Sequence, residues 1–481
     1  MKSKIKNICC IGAGYVGGPT MSVIADKCKH IKVNVVDVNM KRVNLWNSSD
    51  LDNLPIYEPG LKEIVKRRRG KNLFFSSDLE KNISCADMIF ISVNTPTKVR
   101  GEGAGMASDL KWVEASARKV AEFAKGHTIV VEKSTLPVRT ANVIKEILEA
   151  AQSSFSLTKT QATFNVLSNP EFLAEGSAIK DLEKPERVLI GGENQNAIHA
   201  LNDIYKNWVP QEKILHTNIW SSELAKLTAN AFLAQRISSI NSIGALCETT
   251  GADVREVARA IGSDSRIGSK FLDSGPGFGG SCFKKDILNL VYLSNYFGLK
   301  EVARFWEGVV ELNTWHQKRI SRLVVRKLFG TVRGKKIGIL GFSFKANTND
   351  TRESSAISIC KDLLEEGAFL HIHDPRVELN QIELDLNLKQ YCSANKTEIN
   401  NQNLEEGVWV FSKFIKEIFE AADAVLILTE WHEYSLINWK SISPKMRKPS
   451  WIFDARSVIN PKDLEGTDLN LWRIGDGSLI N

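Results

Sequence analysis

The stretch Ile8-Cys9-Cys10-Ile11-Gly12-Ala13-Gly14-Tyr15-Val16-Gly17 decides the fold of the first half of the chain. Its apolar residues predict a short buried strand, and its three glycines follow in the spacing Gly-x-Gly-x-x-Gly. A helix is predicted to continue from this turn to about Lys27, and a second strand over about 32–38 contains Asp37, 20 residues after Gly17. The glycine pattern alone would also suit a tight turn in an unrelated α/β protein. Strand, glycine turn, helix, strand and acid in this order are typical of a dinucleotide-binding domain.

The acid Asp37 indicates which dinucleotide is bound. A carboxylate at this position binds the ribose hydroxyls of NAD and would repel the 2′-phosphate of NADP. Two further predicted strands, over about 88–93 and 128–131, run into the polar loops Asn94-Thr95-Pro96-Thr97 and Glu132-Lys133-Ser134-Thr135. Because an open parallel sheet binds its ligands beyond the carboxyl ends of its strands, both loops are candidates to line the cofactor crevice.

The second half of the chain repeats the α/β pattern after a long helix. Apolar residues recur at helical spacing between about 221 and 248, and no proline interrupts them. A second α/β unit begins at Lys336, and its predicted strands cover about 337–340, 369–373, 424–428 and 451–453. It lacks the full glycine signature, so we expect it to bind a nucleotide of another kind. The polar stretch 386–406 is interpreted as a surface insertion. The predicted fold is therefore α/β, with two Rossmann-like doubly wound sheets joined by a long central helix.

The composition is that of a globular protein. The chain has 481 residues, of which 43% are hydrophobic and 25% charged, and its net charge is +7. The densest basic run, 66–69, ends at Gly70 like the last turn of a helix, so we expect no nucleic-acid partner. Neither a membrane span nor a secretion signal is recognisable. No cysteine pair has zinc-ligand spacing, so we expect no metal site and reduced thiols in the cytoplasm.

One cysteine, Cys282, follows the glycine-rich run Gly277-Phe278-Gly279-Gly280-Ser281. An enzyme that oxidises an alcohol past the aldehyde to the acid needs a nucleophile, because a thiohemiacetal restores a C–H bond from which a second hydride can leave. A small buried thiol in a glycine turn is the alternative interpretation. Lys226 and Asn230 are four residues apart and so share one face of the predicted long helix. They form either an exposed polar stripe or part of an active site.

Several long segments resemble the nucleotide-sugar 6-dehydrogenases. They are Val93-Asn94-Thr95-Pro96-Thr97-Lys98, Val131-Glu132-Lys133-Ser134-Thr135, Ser168 to Gly176, Asn230 to Arg236, Arg266-Ile267-Gly268, Gly277 to Cys282 and Asp350 to Ser354. The resemblance runs from the first strand to about Arg456. It implies three domains, namely an NAD-binding domain at 1–215, a central helical and dimerisation domain with the cysteine loop at 216–325, and a UDP-sugar-binding domain at 326–481. It also implies a homo-oligomer, either a dimer or a hexamer.

The activity implied by this resemblance is the oxidation of UDP-glucose to UDP-glucuronate with two NAD. Cys282 would be the nucleophile, and Lys226 with Asn230 would stabilise oxygen charge on C6. Asp286 with Thr135 would hold a water that relays protons. Glu171 would be the base for the water that hydrolyses the thioester.

The binding residues implied by the resemblance fall into two sets. The NAD set comprises Gly12, Ala13, Gly14, Tyr15, Val16, Gly17, Asp37, Arg42, Val93, Asn94, Thr95, Pro96, Thr97, Ser134, Thr135, Leu136, Glu175, Cys282, Phe283, Lys284, Lys285 and Arg352. The UDP-sugar set comprises Glu171, Phe172, Leu173, Ala174, Glu175, Lys226, Asn230, Arg266, Phe278, Gly279, Phe344, Lys345 and Arg456. For Arg352 and Arg456 an interdomain salt bridge is the alternative.

The chain departs from the family pattern at Asp273-Ser274-Gly275-Pro276, at Ala346-Asn347-Thr348-Asn349 and at Ala455. These departures affect predicted nucleotide contacts and leave the chemical residues in place. Three alternative functions stay open. A sister enzyme could act on GDP-mannose or an N-acetylated UDP-sugar. A one-step 3-hydroxyacid or 6-phosphogluconate-type dehydrogenase would not need Cys282. A sugar-nucleotide sensor would bind without turnover.

Overall fold

The computed structural model describes residues 5–134, 140–152, 162–391 and 407–479. The chain forms two compact units, residues 1–229 with 288–299 and residues 230–287 with 300–481. Two helices, introduced below as α9 and α11, run from one unit into the other.

Eight strands in the described part of the first unit form one sheet in the order β3-β2-β1-β4-β5-β6-β7-β8. All neighbours are parallel except β6 and β7, which are antiparallel. The strands are β1 (Asn7–Ile11), β2 (Lys32–Val36), β3 (Leu73–Ser76), β4 (Met88–Ile91), β5 (His127–Glu132), β6 (Thr163–Ser168), β7 (Val188–Gly192) and β8 (Ile214–Thr217). The helices are α1 (Gly17–Lys27), α2 (Met40–Trp46), α3 (Leu61–Arg68), α4 (Leu79–Ser84), α5 (Lys111–Phe123), α6 (Thr140–Gln152), α7 (Ala178–Glu183) and α8 (Gln195–Tyr205).

Four helices follow in sequence and precede the second sheet. They are α9 (Ile219–Thr250), which has 32 residues, α10 (Val254–Gly262), α11 (Phe283–Tyr296) and α12 (Lys300–Lys327). The glycine-rich run that ends at Cys282 leads directly into α11.

The second unit contains a smaller sheet whose order is β11-β10-β9-β12-β13-β14, with every pair of neighbours parallel. Its strands are β9 (Lys336–Leu340), β10 (Phe369–His373), β11 (Val408–Phe411), β12 (Ala424–Ile427), β13 (Ser450–Asp454) and β14 (Leu469–Arg473). Three further helices are α13 (Ser355–Glu365), α14 (Leu379–Leu386) and α15 (Trp439–Ile442).

Strand β1 is buried on both faces, as the apolar run at the start of the chain predicts. Along β1, Ile8 and Cys10 pack in one apolar cluster, whereas Cys9 and Ile11 pack in another. Successive side chains of a strand point to opposite faces, so the two clusters lie on the two sides of the first sheet. Such two-sided burial is typical of parallel sheets covered by helices.

The predicted fold class is confirmed, and most named elements lie within a few residues of their predicted bounds. The basic run 66–69 ends α3 as predicted, and Arg67 and Arg68 both pair with Asp26. Of the predicted insertion, residues 392–406 lie outside the described residues. Within the described residues, no helix has the length and apolar character to span a bilayer.

Candidate active site

The glycine turn between β1 and α1 has the geometry of a dinucleotide site. Gly12 has a φ of 109°, and an added Cβ there would lie 2.1 Å from the carbonyl oxygen of Ser92. A Cβ at Gly17 would lie 2.0 Å from the carbonyl oxygen of Gly12. Both positions therefore require glycine. At Gly14, by contrast, a Cβ would meet no atom within 4 Å, so this position leaves room for a ligand to approach the backbone.

Asp37 lies at the carboxyl end of β2, beside this turn. Its side chain is buried, and its Oδ2 accepts hydrogen bonds from the amide of Ala13 at 2.9 Å and from Arg42 Nη1 at 3.0 Å. Its Oδ1 accepts from the amide of Asn39 at 2.9 Å. These contacts fix the carboxylate against the glycine turn and leave it acceptor capacity for ribose hydroxyls, since an ionised carboxylate offers about four lone-pair sites.

The predicted loops after β4 and β5 are joined by hydrogen bonds. Ser134 Oγ donates to the carbonyl of Val93 at 2.8 Å, and the amides of Lys133 and Ser134 both donate to the carbonyl of Ile91. The carboxyl ends of the neighbouring strands β4 and β5 are thereby held together at one edge of the first sheet. Strand β4 is also the neighbour of β1. Thr135 and Leu136 lie outside the described residues.

A buried ion pair forms near the end of β6. Glu171 Oε1 lies 3.6 Å from Lys226 Nζ of α9, and both side chains are almost completely buried. The second oxygen of Glu171 accepts from the amide of Leu173 at 3.1 Å. The ring of Phe172 lies near two cations, with Lys226 Nζ at 5.4 Å and Arg187 Cζ at 4.0 Å from its centre. A buried carboxylate next to a buried ammonium is a suitable arrangement for acid–base chemistry.

Cys282 is partly exposed and stands immediately before the first residue of α11. Its carbonyl accepts from the amide of Asp286, one turn later, at 2.8 Å. Asp286 is buried, and its Oδ2 accepts from Asn230 Nδ2 of α9 at 2.6 Å while Lys285 Nζ lies 3.4 Å from Oδ1. The N-terminus of a helix favours negative charge, so this position suits a thiolate nucleophile.

The glycines before Cys282 pack tightly against the loop that follows β9. A Cβ at Gly279 would lie 2.5 Å from the carbonyl oxygen of Glu353, and Gly280 has a φ of 84° and lies against the ring of Phe344. The amide of Gly280 donates to the carbonyl of Arg352 at 2.8 Å. The cysteine loop and the predicted substrate residue Phe344 are thus neighbours within the second unit.

The family of this chain follows from matches along its length. The model of the UDP-glucose/GDP-mannose dehydrogenase family NAD-binding domain matches residues 6–209, that of the central domain residues 220–315, and that of the UDP-binding domain residues 338–461. The chain belongs to the UDP-glucose/GDP-mannose dehydrogenase family. As a member of this family, it is an NAD-dependent oxidoreductase.

Relatives support this membership over nearly the whole chain. UDP-glucose 6-dehydrogenase of Gallus gallus is 55% identical over 461 residues, which are 95% of this chain and 90% of the relative. UDP-glucose 6-dehydrogenase 1 of Arabidopsis thaliana is 51% identical over 475 residues, 97% and 96% of the two chains. Among solved structures, a UDP-glucose dehydrogenase of Pyrobaculum islandicum has a TM-score of 0.79 at 29% identity, covering 98% of each chain. A UDP-D-ManNAc dehydrogenase of Pyrococcus horikoshii has a TM-score of 0.77 at 25% identity and 98% and 100% coverage.

The residues of this dehydrogenase fit NAD as the cofactor. The open space at Gly14 would allow a pyrophosphate to approach the turn, and the buried Asp37 would provide the ribose acceptor. Among the described residues, no group of three or more histidines, cysteines, aspartates or glutamates could hold a metal ion.

The predicted arginines of the dehydrogenase lie in different surroundings. Arg456 is mostly buried and donates to the carbonyls of Leu428 and Phe344 at 2.9 and 2.8 Å. Arg352 is half-exposed and forms a bidentate pair with Asp350. Arg266 pairs with Asp264, and its side chain is 87% exposed. The structure therefore brings Arg456 to the loop after β9, whereas Arg266 points into solvent.

Two buried residues next to the predicted sites were not predicted. Lys133 lies within the quoted segment Val131 to Thr135, yet only its neighbours Ser134 and Thr135 were assigned to a site. Asp374 follows β10 and accepts hydrogen bonds from the amides of Phe342 and Ser343 at 2.8 and 3.0 Å. A charged residue directly after a buried strand was the available signal at both positions.

Proposed function

We propose that this dehydrogenase oxidises UDP-glucose to UDP-glucuronate in two NAD-dependent steps, with covalent attachment of the sugar to Cys282. The observation that carries the proposal is the placement of Cys282 at the start of α11, one turn before the buried Asp286 that Asn230 binds. The names of the relatives at 51–55% identity favour UDP-glucose as the sugar nucleotide.

The proposed chemistry balances over four electrons. When bound, NAD would supply the hydride acceptor for each of the two oxidations at C6. The Cys282 thiolate adds to the aldehyde at C6 and forms a thiohemiacetal, and loss of the second hydride leaves a thioester. Water then cleaves the C–S bond, which releases the carboxylate and restores the thiol.

Each of the other predicted residues has a proposed role in these steps. Lys226 and Asn230, one turn apart on α9, stabilise negative charge on the C6 oxygen. Asp286 holds a water for proton transfer, a role shared with Thr135. Glu171 accepts the proton of the hydrolytic water. Its burial beside Lys226 supports this role, because the ammonium stabilises the carboxylate form.

A panel of sugar nucleotides tests the substrate and the number of electrons together. UDP-glucose is expected to give two NADH per sugar with no free aldehyde, whereas GDP-mannose and N-acetylated UDP-sugars should turn over far more slowly. The UDP-D-ManNAc dehydrogenase of Pyrococcus horikoshii has the same fold, so these sugars are the relevant competitors. One NADH per sugar would refute the covalent four-electron route.

The variant Glu171→Gln tests the hydrolytic step. It is expected to give a burst of about two NADH per active site, followed by a much slower steady rate, because the thioester can form but not hydrolyse. Intact-protein mass spectrometry should then show a sugar-nucleotide adduct that is missing in the Cys282→Ala, Glu171→Gln double variant. Normal turnover, or slowing before the first NADH without an adduct, would move the base elsewhere, with Asp286 as the next candidate.

We further propose a cytoplasmic homo-oligomer, either a dimer or a hexamer, with the domain bounds 1–215, 216–325 and 326–481. Exposed apolar side chains on helices of the second unit support self-association. Phe232 and Leu246 of α9 and Phe305 of α12 are 55%, 58% and 58% exposed. Light scattering coupled to size exclusion tests the oligomeric state, and a monomer across the micromolar range would contradict it.

A further inference from the structure

Asn313 of α12 is a buried side chain that binds the backbone of the glycine-rich run before Cys282. Its Oδ1 accepts a hydrogen bond from the amide of Phe278 at 2.9 Å, and its Nδ2 donates to the carbonyl of the same residue at 3.1 Å. A single side-chain amide therefore satisfies both backbone groups of Phe278, four positions before Cys282. Because these bonds are buried, losing Asn313 would leave the Phe278 backbone groups without that partner and free the loop to shift.

The neighbouring residue Gly277 shows how closely Asn313 packs against this loop. Gly277 has a φ of 126°, and a Cβ added there would lie 2.8 Å from Asn313 Oδ1. One turn further along α12, His316 Nε2 donates to the carbonyl of Gly275 at 2.9 Å. Helix α12 thus binds the loop at two points, and Asn313 provides the one that is nearer to Cys282.

An aromatic contact carries the position of Phe278 to Cys282. The buried ring of Phe278 meets the ring of Phe283 edge to face, with 6.1 Å between the ring centres. Phe283 directly follows Cys282 and is the first residue of α11. Between the two rings, the amide of Gly280 donates to the carbonyl of Arg352 at 2.8 Å. The residues on both sides of Cys282 are therefore held, and Asn313 holds the first of them.

We propose that Asn313 is a positioning residue that places Cys282 where its thiolate adds to the aldehyde at C6. The inference rests on the proposed covalent function and adds the residue that sets the place of the nucleophile. Asn313 acts through the backbone of Phe278 and the ring of Phe283. The first hydride transfer needs no thiol, whereas the second needs the thiohemiacetal. Loss of Asn313 should therefore slow the second oxidation and spare the first.

Single-turnover stopped-flow measurement of NADH tests the proposal, with enzyme in excess over UDP-glucose and with enzyme and NAD at concentrations that saturate the observed rates. Wild type should form two NADH per sugar. Asn313→Leu keeps the size of the side chain and removes both hydrogen bonds. Its first NADH should form at the wild-type rate and its second roughly tenfold to a hundredfold more slowly, because a misplacement of about 1 Å can cost about a hundredfold. Equal slowing of both NADH, or no slowing of the second, would overturn the proposal.

Asn313→Ser decides the question if Asn313→Leu does not fold. The serine side chain is small and keeps a hydroxyl, but it is too short to bind the amide and the carbonyl of Phe278 together. The same slow second NADH is expected. A loss of folded enzyme lowers the amount of NADH formed and leaves the ratio of the two rates unchanged, so lower stability alone does not produce this result. Equal rates for the two NADH in Asn313→Ser would overturn the proposal.

Ser321→Ala is the matched control on the same helix. Ser321 is buried, and its Oγ donates to the carbonyl of Lys318 at 3.1 Å and to the carboxylate of Asp362. This variant removes buried hydrogen bonds of α12 and keeps both bonds of Asn313, so its two rates should match wild type. A slow second NADH in Ser321→Ala would overturn the proposal, since the effect would then belong to the helix as a whole. One NADH per sugar from wild type would instead reject the proposed function itself, whatever the variants show.

Discussion

His316 offers a quantitative test of the packing that holds the cysteine loop. The residue lies on α12, its side chain is fully buried, and its Nε2 donates to the carbonyl of Gly275 at 2.9 Å. Gly275 belongs to 273–276, where the chain departs from the family pattern, and its amide donates to Asn241 Oδ1 at 2.9 Å. The variant His316→Gln keeps a donor for the Gly275 carbonyl and removes the titratable ring.

The expected effect follows from the pKa of His316. Burial, with a smaller effect from Arg319, lowers this pKa from 6.5 to about 4. Because the pKa is depressed in the folded state, the unfolded chain binds the proton at a higher pH than the folded chain does. The contribution of neutral His316 to the free energy of unfolding is therefore fully present above pH 6.5 and is lost as the pH falls towards 4. The pKa shift corresponds to roughly 3 kcal/mol of the free energy of unfolding. About 2 kcal/mol of this contribution is lost when the pH is lowered from 7.5 to 5.0.

Urea unfolding at pH 7.5 and 5.0 measures this loss. Wild type should lose about 2 kcal/mol more free energy of unfolding between these pH values than His316→Gln does, since all other groups titrate in both proteins. The exposed His432 of the same unit gives the control variant His432→Gln, which should behave like wild type. An equal loss in wild type and His316→Gln would refute the assignment of His316 as a buried neutral histidine.

Two further predictions concern the nucleotide sites. Asp37→Ser should reduce the preference for NAD over NADP by at least roughly tenfold, because the repulsion between the carboxylate and the 2′-phosphate disappears. The ratio of kcat/KM for the two cofactors measures this preference. An unchanged ratio would contradict the assignment of Asp37 to the ribose site. Asp374→Asn should weaken UDP binding by roughly tenfold in calorimetry with little effect on NAD, because its oxygens anchor the amides before Phe344 and Lys345. Asp423→Asn, which alters a buried carboxylate at the amino end of β12, is the matched control and should spare UDP binding.

Local patterns predicted the fold class and eight of the fourteen strands that the structure describes, but not β3, β6, β7, β8, β11 or β14. The strands β1 and β10 lie within one residue of their predicted bounds, because each is a short apolar run followed by glycine or Asp-Pro. The helix α9 extends two residues further at each end than its apolar periodicity indicates. The antiparallel pairing of β6 and β7 was not predicted, since strand direction depends on the path of the connection through α7 and not on the residues of the strand.

The candidate site was predictable where its residues are close in sequence. Lys226 and Asn230 are one helical turn apart, and the spacing alone put them on one face. The contact of Asn230 with Asp286 joins residues 56 positions apart and follows only from the packing of the second unit. The hydrogen bond between Lys133 and Asn169 likewise joins residues 36 positions apart, and it follows only from the packing of the first unit. The position of Lys133 directly after a buried strand was a signal for a site residue, but it does not indicate whether the side chain is buried.

The two sheets share one local arrangement, which consists of a glycine after β1 or β9 and an aspartate after the neighbouring strand. They differ at one position of it. In the first sheet the amide of Gly12 donates to the carbonyl of Val36, and in the second the amide of Gly341 donates to the carbonyl of His373, both at 2.8 Å. Each sheet then places an aspartate after the strand that pairs with its first strand, Asp37 in one and Asp374 in the other.

The residue two positions after each glycine differs between the two sheets. In the first sheet it is Gly14, which leaves open space for a pyrophosphate. In the second it is Ser343, whose amide and hydroxyl both donate to Asp374 Oδ2 at 3.0 and 3.1 Å. The other oxygen of Asp374 accepts two amides of the following turn. Its acceptor capacity is therefore used within the protein, so Asp374 cannot bind a ribose as Asp37 can. The second sheet therefore lacks the ribose acceptor that Asp37 offers in the first, which agrees with the match of the UDP-binding domain model to residues 338–461.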